Sequence, residues 1–110
     1  MTDLKNFIKD FKSYLKYEKR YSNDTLKNYS LDLNKFFIYL SENMIVEVSE
    51  ITTEVLQNYI NSLNRSGFLA TSISRKASCI RSFFSFLYKK KFIFLNPSKK
   101  IIVPKRLQKL

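Results

Sequence analysis

Histidine and tryptophan are missing from this chain altogether, and cysteine and glycine occur once each. Without histidine there is no imidazole acid–base pair, no Ser-His or Cys-His nucleophile system and no zinc site built on imidazole. Cys79, standing alone, can form no internal disulfide and supplies no zinc ligand set. A single glycine, Gly67, excludes a Gly-rich phosphate loop. No apolar run approaches the ~18 residues of a membrane span, and the charges threaded through the first apolar stretch exclude a signal peptide. No cofactor, metal, membrane or small-molecule substrate is expected, and the chain reads as cytoplasmic. Proline is also scarce, with Pro97 and Pro104 alone to interrupt local order.

What is present is apolar, aromatic and basic. Of the 110 residues, 45% are hydrophobic and 15% aromatic, enough for one modest core. The formal charge is +11, and it is segregated. Every Asp and Glu precedes residue 65, whereas the stretch from Arg65 to Leu110 carries only Lys and Arg. A surface of one sign repels itself, and a polyanion relieves that repulsion, so nucleic acid is the leading partner. A generally lysine-rich protein is the competing explanation, and the one-sided placement counts against it.

Apolar periodicity divides the chain into four helices and no sheet. The first covers residues 3–19, with Leu4, Phe7, Ile8, Phe11 and Leu15 as its stripe. Lys5, Lys9, Lys12 and Lys16 follow one flank of it. That flank reads as a solvated face whose stems cover apolar surface, rather than as a rail for phosphates. The second covers 23–42, capped by Ser22, with Leu26, Tyr29, Leu33, Phe36, Phe37 and Leu40 inward. Leu31 and Ile38 form a second apolar line, which predicts cover from a neighbouring helix. Residues 41–51 form an apolar connection expected to pack down on the core. The third helix covers 53–65, capped by Thr52 or Thr53, and Gly67 supplies the left-handed residue beyond its end. Phe92, Ile93, Phe94 and Leu95 are expected to fold back on the core as a turn.

The fourth helix, 72–91, carries the functional signal. Ile73, Ala77, Ile80, Phe84 and Leu87 form its buried face, with Thr71 as the predicted N-cap. The opposite face carries Arg75, Ser78, Ser82, Ser85 and Lys89. Small hydroxyls between cations make a poor core but let a backbone come close to phosphates and groove edges. The motif T-S-x-x-R-x-x-S-x-x-R-x-F-F-x-F-L, from Thr71 to Leu87, is followed by Asn96-Pro97 and Pro104-Lys105. Upstream lies S-x-x-T-L-x-x-Y-x-x-D-L-x-x-F-x-x-x-L, from Ser22 to Leu40. In this order the two resemble the N-terminal core-binding domain of tyrosine recombinases, the phage-integrase and XerC/XerD-like family.

That resemblance implies an all-α, four-helix SAM-like bundle of two crossed helical hairpins. It also implies a domain over residues 1–103, with 104–110 opening the linker to a separate C-terminal catalytic domain. In the family the nucleophilic tyrosine belongs to that second domain. None of the seven tyrosines here matches its motif, so the chain alone is expected not to be an enzyme. The implied partner is double-stranded DNA, clamped between the two domains, with other recombinase protomers alongside. Matched by motif, Thr25, Asn28, Thr71, Ser72, Arg75 and Arg81 are the expected DNA contacts. Lys27, Lys76, Ser78, Ser82 and Lys89 are added by face and charge, Lys76 snorkelling from the core edge. The competing readings are a helical protein–protein module and a stand-alone DNA-binding regulator.

Overall fold

The computed structural model describes residues 4–104. It contains α1 (Leu4–Tyr17), α2 (Asn23–Glu42), a 3-10 turn (Val48–Glu50), α3 (Thr53–Arg65) and α4 (Ala70–Lys89). Among the described residues there is no strand. The expected linker residues 105–110 lie outside the described residues. α1 packs on α2 and α3 on α4, while α4 also meets α1 and α2, so α4 is the shared central element.

Each helix forms where the apolar spacing and a capping residue agree. Ser22 Oγ accepts the Thr25 N–H at 3.2 Å, and Thr52 Oγ1 accepts the Val55 N–H at 3.2 Å, each satisfying an end donor. α4 differs from expectation. It begins at Ala70, with Leu69 as an N-cap that makes no side-chain hydrogen bond. Thr71 therefore lies inside the first turn, not at the cap.

Aromatic rings fill the centre. Phe11 of α1 meets Tyr14, Tyr29, Phe83 and Phe86 at centroid separations of 5.4 to 6.4 Å. Phe36 of α2 meets Tyr59 of α3 at 5.1 Å and Phe84 of α4 at 6.3 Å. Burying each phenylalanine contributes about 1.5–3 kcal/mol, so these contacts carry much of the packing energy. Phe92 stacks on Phe7 at 5.0 Å and so joins α1 to the end of α4.

Three expectations are corrected here. Leu31 and Ile38 are half exposed, because no helix crosses that side of α2. In the 41–51 connection Val48 and Ile51 are buried, but Met44 and Val46 point to solvent. Phe94 and Leu95 stand almost fully exposed, and only Ile93 of that turn packs against the core, with Phe92 on its edge.

The ends of α2, α3 and α4 share one device. In each, a left-handed residue lets the chain double back so that two amides reach the last carbonyls. For α3 these are Gly67 N–H to Asn64 O and Phe68 N–H to Leu63 O. Gly67 adopts φ +88° there, as its type favours. Met44 (φ 59°) and Lys91 (φ 64°) do the same for α2 and α4 despite their Cβ atoms. Left-handed backbone costs an L-residue about 1–2 kcal/mol, and the Met44 side chain is exposed. Met44→Gly should therefore raise the thermal midpoint by roughly 4–8 °C, as about 1 kcal/mol does in a domain of this size. Met44→Ala should not. Calorimetry on the two variants checks this, and equal midpoints would remove the backbone argument.

The tail is tied down by side chains. Thr53 Oγ1 donates to Pro97 O at 2.8 Å, and Ser98 Oγ donates to Asn96 Oδ1 at 2.7 Å. The Gln57 amide both donates to Ile102 O and accepts from Ile102 N–H, each at 2.8 Å. Arg81 Nη2 donates to Ile101 O at 3.0 Å. These bonds satisfy extended backbone that has no strand partner.

Candidate nucleic-acid interface

At 3.6 residues per turn, one side of α4 presents Thr71, Ser74, Arg75, Ser78, Ser82, Ser85 and Lys89 as a continuous stripe. All are exposed except Ser82, which is half-buried. The face behind it is Ile73, Ala77, Ile80, Phe84 and Leu87, each buried. Core packing thus fixes the stripe on the surface. Ser72 turns away from it and is half-buried.

α2 runs beside this stripe. Cys79 Sγ lies 3.9 Å from Tyr29 O, which sets α2 against this side of α4. The α2 edge bordering the seam is Thr25, Asn28, Asp32 and Lys35, spaced three and four residues apart. Asn28 and Lys35 are exposed, and Thr25 is half-buried with its hydroxyl accepting from Ser22 Oγ at 3.0 Å. The two motifs of the sequence therefore meet along one seam.

At the middle of the seam sits a buried carboxylate. Asp32 is 7% exposed and holds two cations of α4. Lys76 Nζ lies 2.8 Å from Oδ1. Arg75 approaches with Nε 3.3 Å from Oδ2 and Nη2 3.3 Å from Oδ1. Lys76 does not snorkel outward as expected. It is 3% exposed, because its stem fills the α2–α4 contact and its ammonium is claimed by Asp32. Arg75 is different: more than half its side chain is exposed, and Asp32 engages only the Nε–Nη2 edge. Asp32 leaves Nη1 and the second Nη2 proton uncommitted, and on a side chain this exposed they can serve a bidentate acceptor.

Arg81 departs from the stripe and is partly committed to Ile101 O. It also lines a cleft of about 300 Å³ with Lys19, Tyr21, Ser82, Ser85 and Lys89, floored by Phe11, Tyr14, Leu15 and Phe86. Lys27 is not on this seam at all. It lies in a separate groove between α1 and α2.

Neither buried acidic side chain near the seam is poised for chemistry. Burial pushes the Cys79 thiol up to about 12, with Asp32 adding to the effect and Lys76 and Arg75 opposing it. Burial likewise pushes the Tyr59 hydroxyl up to about 12. A thiol or phenol that stays protonated is no nucleophile at neutral pH. Among the described residues no cluster of carboxylate and thiol groups could hold a metal ion, and no helix is long and apolar enough to cross a membrane.

The chain matches the family model for the phage integrase N-terminal SAM-like domain over residues 8–91. It belongs to that family. Curated relatives include the tyrosine recombinase XerC of Halalkalibacterium halodurans, 32% identical over 94% of this chain and 34% of the relative. XerC of Syntrophus aciditrophicus is 37% identical over 89% of the chain and 34% of that protein. The tyrosine recombinase XerD of Staphylococcus haemolyticus is 32% identical over 97% and 36% respectively. The chain thus spans about a third of the length of the recombinases it matches. No solved structure matches it. Within the integrase SAM-like fold, the matched region contains the whole α2–α4 seam.

Three contributors to the seam escaped the sequence reading. Asp32 looked like one more polar helix residue, yet it lies between Tyr29, Leu33 and Phe36 in the inward pattern, which was the available signal. Ser74 and Lys35 share the exposed edges at helical spacing and could have been added on that ground alone.

Proposed function

We propose that this chain is the DNA-binding N-terminal domain of a site-specific tyrosine recombinase or integrase, gripping one side of a duplex through the α2–α4 seam. The observation that carries this is Arg75. It is a half-exposed guanidinium, oriented by a buried carboxylate, within a stripe of small hydroxyls. Thr25, Asn28, Lys35, Thr71, Ser78, Ser82 and Lys89 supply donors to phosphates on either side. Arg75 offers a fork to a phosphate or to guanine O6 and N7. Lys76 supports Asp32 from inside and touches no DNA. Residues 1–103 form the binding domain and 104–110 open the linker to a catalytic domain. The partners are duplex DNA and further recombinase protomers in the cytoplasm. This chain alone cuts no strand, and it needs no cofactor or small-molecule substrate.

Phosphate contacts release condensed counterions, so binding should weaken linearly in log–log salt plots. Each of Lys35, Arg75 and Lys89 that neutralises a phosphate contributes about 0.9 to the slope. A salt titration of duplex binding by the wild type and Lys89→Gln should show the slope reduced by about one in the variant. Salt-independent binding would reject the seam as a phosphate-gripping surface.

A further inference from the structure

A groove of about 670 Å³ lies between α1 and α2, and the seam does not use it. Its walls are Lys5, Lys9, Lys12 and Lys16 of α1 and Lys27 of α2, interspersed with Ser13, Asn23, Ser30 and Asn34. No carboxylate among the described residues lines it. From sequence alone the α1 lysines form a solvated flank. The fold changes that reading, because α2 closes the flank into a trough and contributes Lys27 from the facing wall.

Direction is the second observation. On α2 the groove residues and the Thr25, Asn28, Asp32 and Lys35 edge point roughly 170° apart at about 100° per residue. On α1 the lysines lie roughly opposite Phe7 and Tyr14, whose rings meet Phe92 and Phe86 at the far end of α4. A duplex lying on the seam therefore leaves this groove open on the other side of the hairpin.

Chemistry decides the occupant. From Lys5 to Lys16 the row extends about 16 Å, at 1.5 Å per residue. That length faces roughly ten charges along a duplex axis, at one per 1.7 Å. Lysines are flexible point charges without a planar fork, suited to phosphates in any sequence and poor at reading bases. The apolar lining of the groove offers no deep pocket: Ile8 is buried, Leu26 and Phe37 are half-buried, and the two rings, Phe37 and the exposed Tyr17, lie under Lys5 and Lys16 Nζ at 5.7 and 5.2 Å. An acidic protein helix would want an open apolar anchor pocket there.

We propose that the α1–α2 groove is a second, sequence-independent duplex-binding surface, so that one chain holds two DNA segments on opposite sides. The seam serves as the first surface, so the inference rests on the proposed function above, and the assay separates the two. One unlabelled duplex is immobilised on beads, the 110-residue chain is loaded, and capture of a second, fluorescent duplex is read.

The groove variant is Lys9→Gln/Lys12→Gln/Lys16→Gln. A charge-matched control is Lys90→Gln/Lys99→Gln/Lys100→Gln. Both change surface side chains, and circular dichroism verifies their fold. The wild type and the control should capture the second duplex. The groove variant should load on the beads almost as well but capture about tenfold less, having lost three counterion-releasing contacts. Equal capture by groove variant and wild type overturns the proposal. So does equal loss in the control, which would mean net charge alone is at work. A wild type that loads but captures nothing overturns it and leaves the seam intact, whereas a chain that does not load at all overturns both. Displacement of the second duplex by poly-glutamate more readily than by unlabelled duplex would overturn it in favour of an acidic protein partner.

Discussion

Asp32→Ala should cost about 3–5 kcal/mol of folding stability, the range for stranding one member of a buried pair. Domains of this size have only about 5–15 kcal/mol in total, so the variant should lie close to the edge of folding. The reason is Lys76. Its ammonium is buried, its 2.8 Å partner is Asp32, and the change leaves that charge in the α2–α4 contact unneutralised. Arg75 loses less, because its exposed face is solvated. Asp32→Ala/Lys76→Met should recover most of the loss, since replacing both members of a buried pair by apolar groups is often neutral or better. Urea unfolding followed by circular dichroism gives the coupling from the four-member cycle. A single-variant cost below about 1 kcal/mol would place the pair among surface salt bridges instead.

The recovered double variant has a use beyond stability. It keeps Arg75 but removes the carboxylate that orients it. If orientation matters, the double variant should bind duplex less tightly than the wild type although its net charge is the same, +11. Pure charge counting gives no change.

Arg75→Ala is the expected largest loss in binding. If the Nη1–Nη2 edge left free by Asp32 reads guanine, the cost is about 1–3 kcal/mol and preference relaxes at one base position. If it grips phosphate, binding weakens evenly across sequences and the salt slope falls by about one. Arg75→Lys distinguishes orientation from charge. A lysine can stay near Asp32 or reach DNA, but it cannot present a fork while anchored. It should therefore retain the salt slope and lose any base preference. Titrations of wild type and both variants against a library of duplexes measure this. Unchanged binding by Arg75→Ala would show that the seam is not the contacting face.

Much of this was readable from residue order. The stripes of all four helices, the Ser22 and Thr52 caps and the Gly67 turn follow from local spacing, and local spacing is what helices obey. The exposed face of α4 followed too, as the complement of an unbroken apolar face. What stayed hidden depends on which helix lies next to which. Lys76 pairs with a residue 44 positions away, and no local pattern shows whether an edge lysine turns in or out. Leu31 and Ile38 look like a covered face on a wheel, yet nothing packs there. The α1 lysines became a groove wall only once α2 was set beside them.

The tethering of the tail has a mechanical meaning. Gln57 grips Ile102 with two antiparallel hydrogen bonds, Thr53 holds Pro97, and Arg81 holds Ile101. A pull applied at Pro104 therefore meets side-chain anchors at Ile102, Ile101 and Pro97 in turn. Through Gln57 and Arg81 the load passes into α3 and α4, the latter being the helix that bears Arg75.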